Sequence, residues 1–233
     1  MPPIRHTAIR RMLAGVKSFR ARYYERDPES MRQLVEEGQK PDVLFIGCSD
    51  SRVDPALLTL AEPGELFVIR NVANMVPPYE PDERRHGTSA AIEYAVRVLK
   101  VSHIVVLGHA HCGGVQGLIR VKAGETIAGD FIAPWVTIAE AACAQFVDAA
   151  VAGVADAAEK QSRAAAVYQR MLESPFSVER AAVKVSVDNL LTFPCIGELV
   201  RVGRLNLHGW WFDLDTGDLW TLDHDRGVFV PEN

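Results

Sequence analysis

The sequence predicts an α/β fold in which a mostly parallel central sheet is flanked by helices. Three observations carry this. Short unbroken apolar runs recur at DVLFIG (42–47), ELFVIRN (65–71) and HIVVLGH (103–109), each bounded by turn residues, as strands buried on both faces read. Helical patterns lie between them, and strand–helix–strand alternation implies parallel βαβ units. The chain then closes on two β-rich runs, RLNLHGWWFDLD and DLWTLDH, around Thr216-Gly217. That pair reads as a hairpin. The expected strand order is 2-1-3-4 with a C-terminal antiparallel edge strand.

Each element has a local reason. Residues 5–23 place Ile9, Met12, Leu13 and Val16 at helical spacing among basic residues. Asp27-Pro28-Glu29 supplies a cap, a first-turn proline and an acidic first turn for a second helix, which ends near Gly38. Residues 1–38 form an N-terminal helical arm on a single domain spanning 1–233. Pro63-Gly64 turns the chain into the second strand. TSAAIEYAVRVLK at 88–100 is a helix with Thr88 as its cap. Residues 139–160 hold ten alanines and read as a peripheral helical excursion. PFSVERAAVKVSVDNLLTF at 175–193 is a further long helix.

Composition narrows the function. The chain has 233 residues, 48% hydrophobic and 24% charged, with a formal net charge of −5. That balance is ordinary for a globular protein and speaks against a general nucleic-acid binder, which needs clustered Lys and Arg. No apolar run approaches the ~18 residues of a membrane span. The N-terminus is basic without an apolar signal core. The expectation is a cytoplasmic protein in a reducing compartment. There, Cys48, Cys112, Cys143 and Cys195 suggest metal or catalysis before disulfides. Cys143 and Cys195 read as buried thiols.

Two strings carry chemistry. Cys48-Ser49-Asp50-Ser51-Arg52 follows the first core strand, and His109-Ala110-His111-Cys112-Gly113-Gly114 follows the third. If strands one and three are neighbours, both strings meet at the switch point beyond the carboxyl ends of the strands, where open parallel sheets bind ligands. Two thiolates and an imidazole suit zinc, and three protein ligands plus an open position is the catalytic pattern. Asp50 has two available roles. It closes the metal shell, or it pairs with the Arg52 fork and accepts a hydrogen bond from metal-bound water.

C-x-D-x-R followed by H-x-x-C-G-G resembles the motif pair of β-class carbonic anhydrases. The likeness extends through GELFVIRNVAN (64–74), VPPYE (76–80), AAIEYAV (90–96), DNLLTFP (188–194) and LHGWWFD (207–213), and covers most of the chain from about residue 38. It implies reversible hydration of carbon dioxide by a zinc-bound hydroxide, with one Zn2+ per subunit held by Cys48, His109 and Cys112. It implies a catalytic dyad of Asp50 and Arg52. A substrate pocket of Gln39, Phe67, Val72 and Tyr94, similar to that of the plant-like branch, would receive carbon dioxide, with the backbone N–H groups of Gly113 and Gly114 meeting bicarbonate oxygens. The resemblance also implies a homodimer or tetramer, in which the N-terminal helices reach onto a neighbour. Some family members close the site through a separate bicarbonate pocket; here Phe45 and Asp188 stand at two of its positions, and only Arg70 matches. That implies a site that stays open.

Other readings compete. GHAHCGGVQG opens a helix after a strand, as a nucleotide-binding loop does, but it matches G-x-G-x-x-G poorly. A zinc-stabilised protein without turnover uses the same ligands. Within the family, hydrolysis of carbon disulfide or carbonyl sulfide is a further possibility. His86 and His111 are the candidates for proton transfer to buffer.

Overall fold

A computed structural model describes residues 4–232 in two compact units, Met1–Lys40 and Pro41–Asn233. In the first, α1 (Ile4–Arg20) runs into a π-helical turn, Ala21–Arg26, and α2 (Pro28–Glu37) follows. Pro28 sits at the start of α2, Ser30 Oγ donates to Asp27 Oδ2 at 2.8 Å, and Gly38 ends the helix at φ 76°. Ile9, Met12, Leu13 and Val16 do share one face, and all are 58–66% exposed. An apolar stripe of this kind gains its stabilisation only from a partner surface.

The second unit is built on a six-stranded sheet of order β2-β1-β3-β4-β5-β6. Its strands are β1 (Val43–Cys48), β2 (Leu66–Asn71), β3 (His103–His109), β4 (Asn206–Phe212), β5 (Leu219–Asp223) and β6 (Val228–Pro231). The first four are mutually parallel, and β5 and β6 add antiparallel. The predicted 2-1-3-4 order holds. The antiparallel edge has two strands rather than one, because the Asp223–Gly227 turn returns the chain as β6. Pro231 near the open edge removes a donor that would otherwise template another strand.

Connections set the layers. α3 (Pro55–Thr59) joins β1 to β2; α4 (Gly87–Glu93) and a π-helical turn, Tyr94–Leu99, join β2 to β3. Between β3 and β4 come α5 (Gly113–Lys122), α6 (Ile132–Val136), α7 (Ala141–Val151), α8 (Ala157–Glu173), α9 (Phe176–Leu191) and α10 (Pro194–Arg201). The alanine-rich stretch is therefore two helices, broken at Ala152–Asp156 by Gly153 at φ 74°.

Strand alternation divides the core. Leu44, Ile46, Ile104 and Val106 pack with Ile92 and Val96 before β3, with Val183, Val187 and Leu190 of α9 and with Ile196 of α10. Each such fully buried side chain is worth about 1.5–3 kcal/mol. Phe45, Val105 and Leu107 face the other way, and Phe45 meets the Trp210 ring edge-on at 6.1 Å. A second large cluster, including Met75, Val115, Leu118, Ile119, Val136 and Cys143, unites α5 to α9 with the end of β1. Only β1 and β3 have the predicted two-sided burial; β2 is half-exposed, with Val68 at 41%. As an edge strand it has one neighbour only. Gly108 explains the tight fit beside the site: a Cβ there would run into Val183 Cγ2 of α9.

Candidate metal centre

β1 and β3 lie side by side, with Val43 opposite His103 and Gly47 opposite Leu107. Their carboxyl ends therefore deliver Cys48 and His109 to one crevice. Cys112 arrives from the turn into α5. The Sγ atoms of Cys48 and Cys112 and a ring nitrogen of His109 all lie within 4.8 Å of one another, and all three residues are buried. Zn–S bonds of about 2.3 Å and Zn–N bonds of about 2.0–2.1 Å in a tetrahedral shell require donors this close.

The donors are oriented for a cation. His109 Nδ1 lies 2.8 Å from the Ala110 carbonyl oxygen. A carbonyl only accepts, so Nδ1 carries the proton and Nε2 presents its lone pair. That Nε2 is fully buried and has no hydrogen-bond partner. A buried acceptor left without a partner is costly; a metal ion between the two sulfurs satisfies it. Two thiols with an imidazole form the donor set that favours zinc among hard and soft cations. The chain therefore fits the ion by both geometry and chemistry.

Hydrogen bonding from the Cys112 thiol, assisted by His109 and the Asp50 N–H, holds the Cys48 thiol down to about 4 despite its burial. Cys112, left as the proton-bearing partner, is pushed up by Cys48 and by burial. Burial opposes charge on His109, but its interaction with Cys48 and its bond to Ala110 outweigh that and raise its pKa.

Asp50 and Arg52 form the expected pair. The Asp50 Oδ1 accepts from Arg52 N and Nε at 2.9 Å each, and Oδ2 accepts from Arg52 Nη2 at 2.7 Å. This bidentate clamp, foremost, keeps the Asp50 carboxyl well below the usual carboxylate range. Oδ2 stands 3.9 Å from His109 Nε2, so the carboxylate borders the ligand cluster.

Three further supports come from residues distant in sequence. Arg70, on the neighbouring strand, donates from Nε to the Cys48 carbonyl at 3.0 Å, from Nη2 to the Asp50 carbonyl at 2.7 Å, and from Nη1 to Asp54 Oδ2 at 2.8 Å. It holds the whole 48–54 loop. His111 gives its carbonyl to Arg52 Nη2 at 3.2 Å. Glu179 of α9, only 1% exposed, accepts from Cys112 N at 2.9 Å and from Trp211 Nε1 at 3.3 Å. The signal for Glu179 was present: it is the one acidic residue on an α9 face otherwise made of Val178, Ala182, Val183 and Ser186.

Burial pushes the Glu179 pKa up, against the two hydrogen bonds it accepts. The folded protein thus holds this proton more tightly than the unfolded chain. Its contribution to stability is fullest at low pH and falls as pH rises through the folded-state value. Glu179→Ala leaves two buried donors unpaired and a cavity. The expected loss is about 2–4 kcal/mol, or roughly 4–16 °C in Tm for a chain of this size, read by calorimetry on the zinc-loaded protein.

The residues expected to line a substrate pocket lie in different settings. Phe67 and Tyr94 meet as tilted rings 5.8 Å apart, with Tyr94 43% exposed. Val72 is 45% exposed and borders an apolar groove of about 530 Å³ with Phe131, Ile132, Trp135 and Ile138; Trp135 Nε1 donates to its carbonyl at 2.7 Å. Gly114 packs against the Val72–Asn74 turn, where Ala73 and Asn74 both take positive φ; a Cβ on Gly114 would lie 2.7 Å from that of Ala73. Gly113 opens α5 in free space. Gln39 belongs to the N-terminal unit and is exposed. Cys143 is buried, whereas Cys195 is only partly so, because it sits in the first turn of the short α10. His86 pairs with Asp82 at 2.5 Å. Phe45 is committed to Trp210, and Asp188 to Lys184 at 2.7 Å.

Comparison with known proteins agrees with this geometry. The family model described as carbonic anhydrase matches residues 43–219. A carbonic anhydrase of Pseudomonas aeruginosa is 39% identical over 222 residues, covering 95% of this chain and 91% of that protein. One from Synechocystis is 33% identical over 225 residues, covering 95% and 74%. Among solved structures, the β-carbonic anhydrase CcaA superposes with a TM-score of 0.77 at 31% identity, over 97% of this chain and 93% of that one. A tetrameric β-carbonic anhydrase of Sordaria macrospora gives 0.70 at 29% identity, over 93% and 98%. On its sequence, its sheet and its paired cysteine–histidine turns, the chain belongs to the β-class carbonic anhydrases, lyases that hydrate carbon dioxide reversibly.

Proposed function

We propose that this carbonic anhydrase works with one zinc ion per chain, held by Cys48, His109 and Cys112, and with Asp50 and Arg52 as its catalytic pair. The observation that carries the reading is the unpartnered, fully buried His109 Nε2 facing two thiols. When bound, zinc supplies a Lewis acid that acidifies water near neutral pH. Two thiolates neutralise the ion's charge, so the protein must assist. Asp50 accepts the hydrogen bond of the water to be deprotonated, and Arg52 keeps that carboxylate ionised and aimed. Phe67, Val72 and Tyr94 offer apolar surface to a linear, nonpolar substrate. The N–H groups of Gly113 and Gly114 donate to its oxygens as charge develops. The test is a stopped-flow carbon dioxide hydration assay beside a zinc-to-protein ratio. Stoichiometric zinc without turnover removes the reading.

The branch assignment and the open state belong to this proposal. Two observations support them: Arg70 spends its guanidinium on the 48–54 loop, and Asp188 is engaged by Lys184. The expected result is that kcat/KM rises smoothly between pH 6.5 and 9 and does not respond cooperatively to added bicarbonate. A steep cooperative step overturns it.

The chain is further proposed to act as at least a dimer in the cytoplasm. The half-exposed edge strand β2, the exposed α1 stripe and the tetrameric state of the Sordaria relative support association. Free Cys48, Cys112, Cys143 and Cys195 support a reducing compartment. No helix among the described residues is long and apolar enough to cross a membrane. A concentration-independent monomer in analytical ultracentrifugation overturns the dimer.

A further inference from the structure

We infer that His111 and Asp215 are positioning residues for the Asp50–Arg52 pair, acting through the peptide unit between His111 and Cys112. This rests on the catalytic reading of that pair. The carbonyl of this peptide accepts from Arg52 Nη2 at 3.2 Å, while its N–H donates to Glu179 Oε1 at 2.9 Å. One peptide plane thus links the dyad's guanidinium, through a metal-ligand residue, to a buried carboxyl.

The plane can face both partners only because His111 takes φ 58°. Glycine occupies that region freely, and a side chain there is strained. Strain of this kind persists only where the surroundings impose it, and here they are visible. His111 Nε2 donates to Asp215 Oδ2 at 2.7 Å, and the ring meets Phe176 edge-on at 5.7 Å. Asp215 comes from the turn after β4, itself held by its N–H on Asp213 Oδ1 at 2.9 Å. The side chain therefore fixes the rotation of a peptide whose oxygen steadies Arg52. Hydrogen bonds that share a polarised unit reinforce one another, so loosening one end loosens the other.

Two variants separate positioning from packing. His111→Gly relieves the backbone and removes the anchor; Asp215→Ala keeps the ring and removes its acceptor. Each is expected to retain zinc and a Tm close to that of the parent. Each should lower kcat about 3- to 10-fold with little change in KM. Asp215→Asn, whose amide oxygen still accepts from Nε2, should restore most of the rate. In cobalt(II)-substituted protein, the visible spectrum of His111→Gly should move toward that of Arg52→Ala, and the double variant should be no slower than Arg52→Ala alone. Parental kcat in both single variants, or losses that follow zinc content or Tm, overturns the inference while leaving the dyad intact if Arg52→Ala is slow. Parental kcat in Arg52→Ala overturns the dyad reading and this inference with it.

Discussion

Cys112→Ala is expected to lose zinc and to reduce carbon dioxide hydration to the buffer background. A site with three protein donors has none to spare, since the remaining position is kept for water and substrate. Deleting one leaves a Cys–His pair with micromolar-class hold at best, so the zinc ratio should fall below roughly a tenth after dialysis. His109→Ala should do the same by removing the buried Nε2 acceptor, and Cys48→Ala by removing the thiol already held at about 4. The pH dependence of metal uptake has a definite sign. His109 and Cys112 both have raised pKa values in the metal-free protein, and both must be unprotonated to bind. Zinc affinity therefore increases with pH, and a chelator should strip the wild-type protein faster at pH 6 than at pH 8. Stoichiometric zinc with normal turnover in any of the three alanine variants overturns the ligand set.

What could be read from the sequence was whatever is local. Unbroken apolar runs revealed β1 and β3 because both are buried on two faces, and Cys48 and His109 at their carboxyl ends come together with Cys112 because strand ends meet at the switch point. The Asp50–Arg52 clamp was legible because its partners are two residues apart. Features that depend on long-range approach were not. Glu179 reaches Cys112 across 67 positions and Arg70 reaches Cys48 across 22, and no local spacing announces either contact. The His111 carbonyl bond to Arg52 follows from a left-handed backbone that no pattern of side chains announces. The break between α7 and α8 was missed because alanine favours helix so strongly that Gly153 looked incidental. β6 was missed because its four residues are too few to show a period.

Arg52→Ala is expected to keep its zinc and to lose about 10- to 100-fold in kcat, the usual scale for removing a partner that orients the groups around a metal. The geometry gives the reason. Asp50 receives three hydrogen bonds from Arg52, one from its backbone and two from its fork. Without the fork, one backbone bond remains, and the carboxylate already stands 3.9 Å from His109 Nε2. A small rotation brings it onto the ion that the cluster would hold, where it competes with water. Two consequences distinguish this from simple weakening. The carboxylate loses the partner that foremost keeps its pKa low, so the variant's activity should fall away at a higher pH than that of the parent. Zinc should also be retained at least as well as in the parent, because a fourth protein donor has been added. Arg52→Lys tests the fork itself: an ammonium supplies the charge without two parallel donors, and should recover only part of the loss. A near-parental kcat in Arg52→Ala, with an unchanged acid limb, makes the pair a structural clamp on the 48–54 loop and removes it from the chemistry.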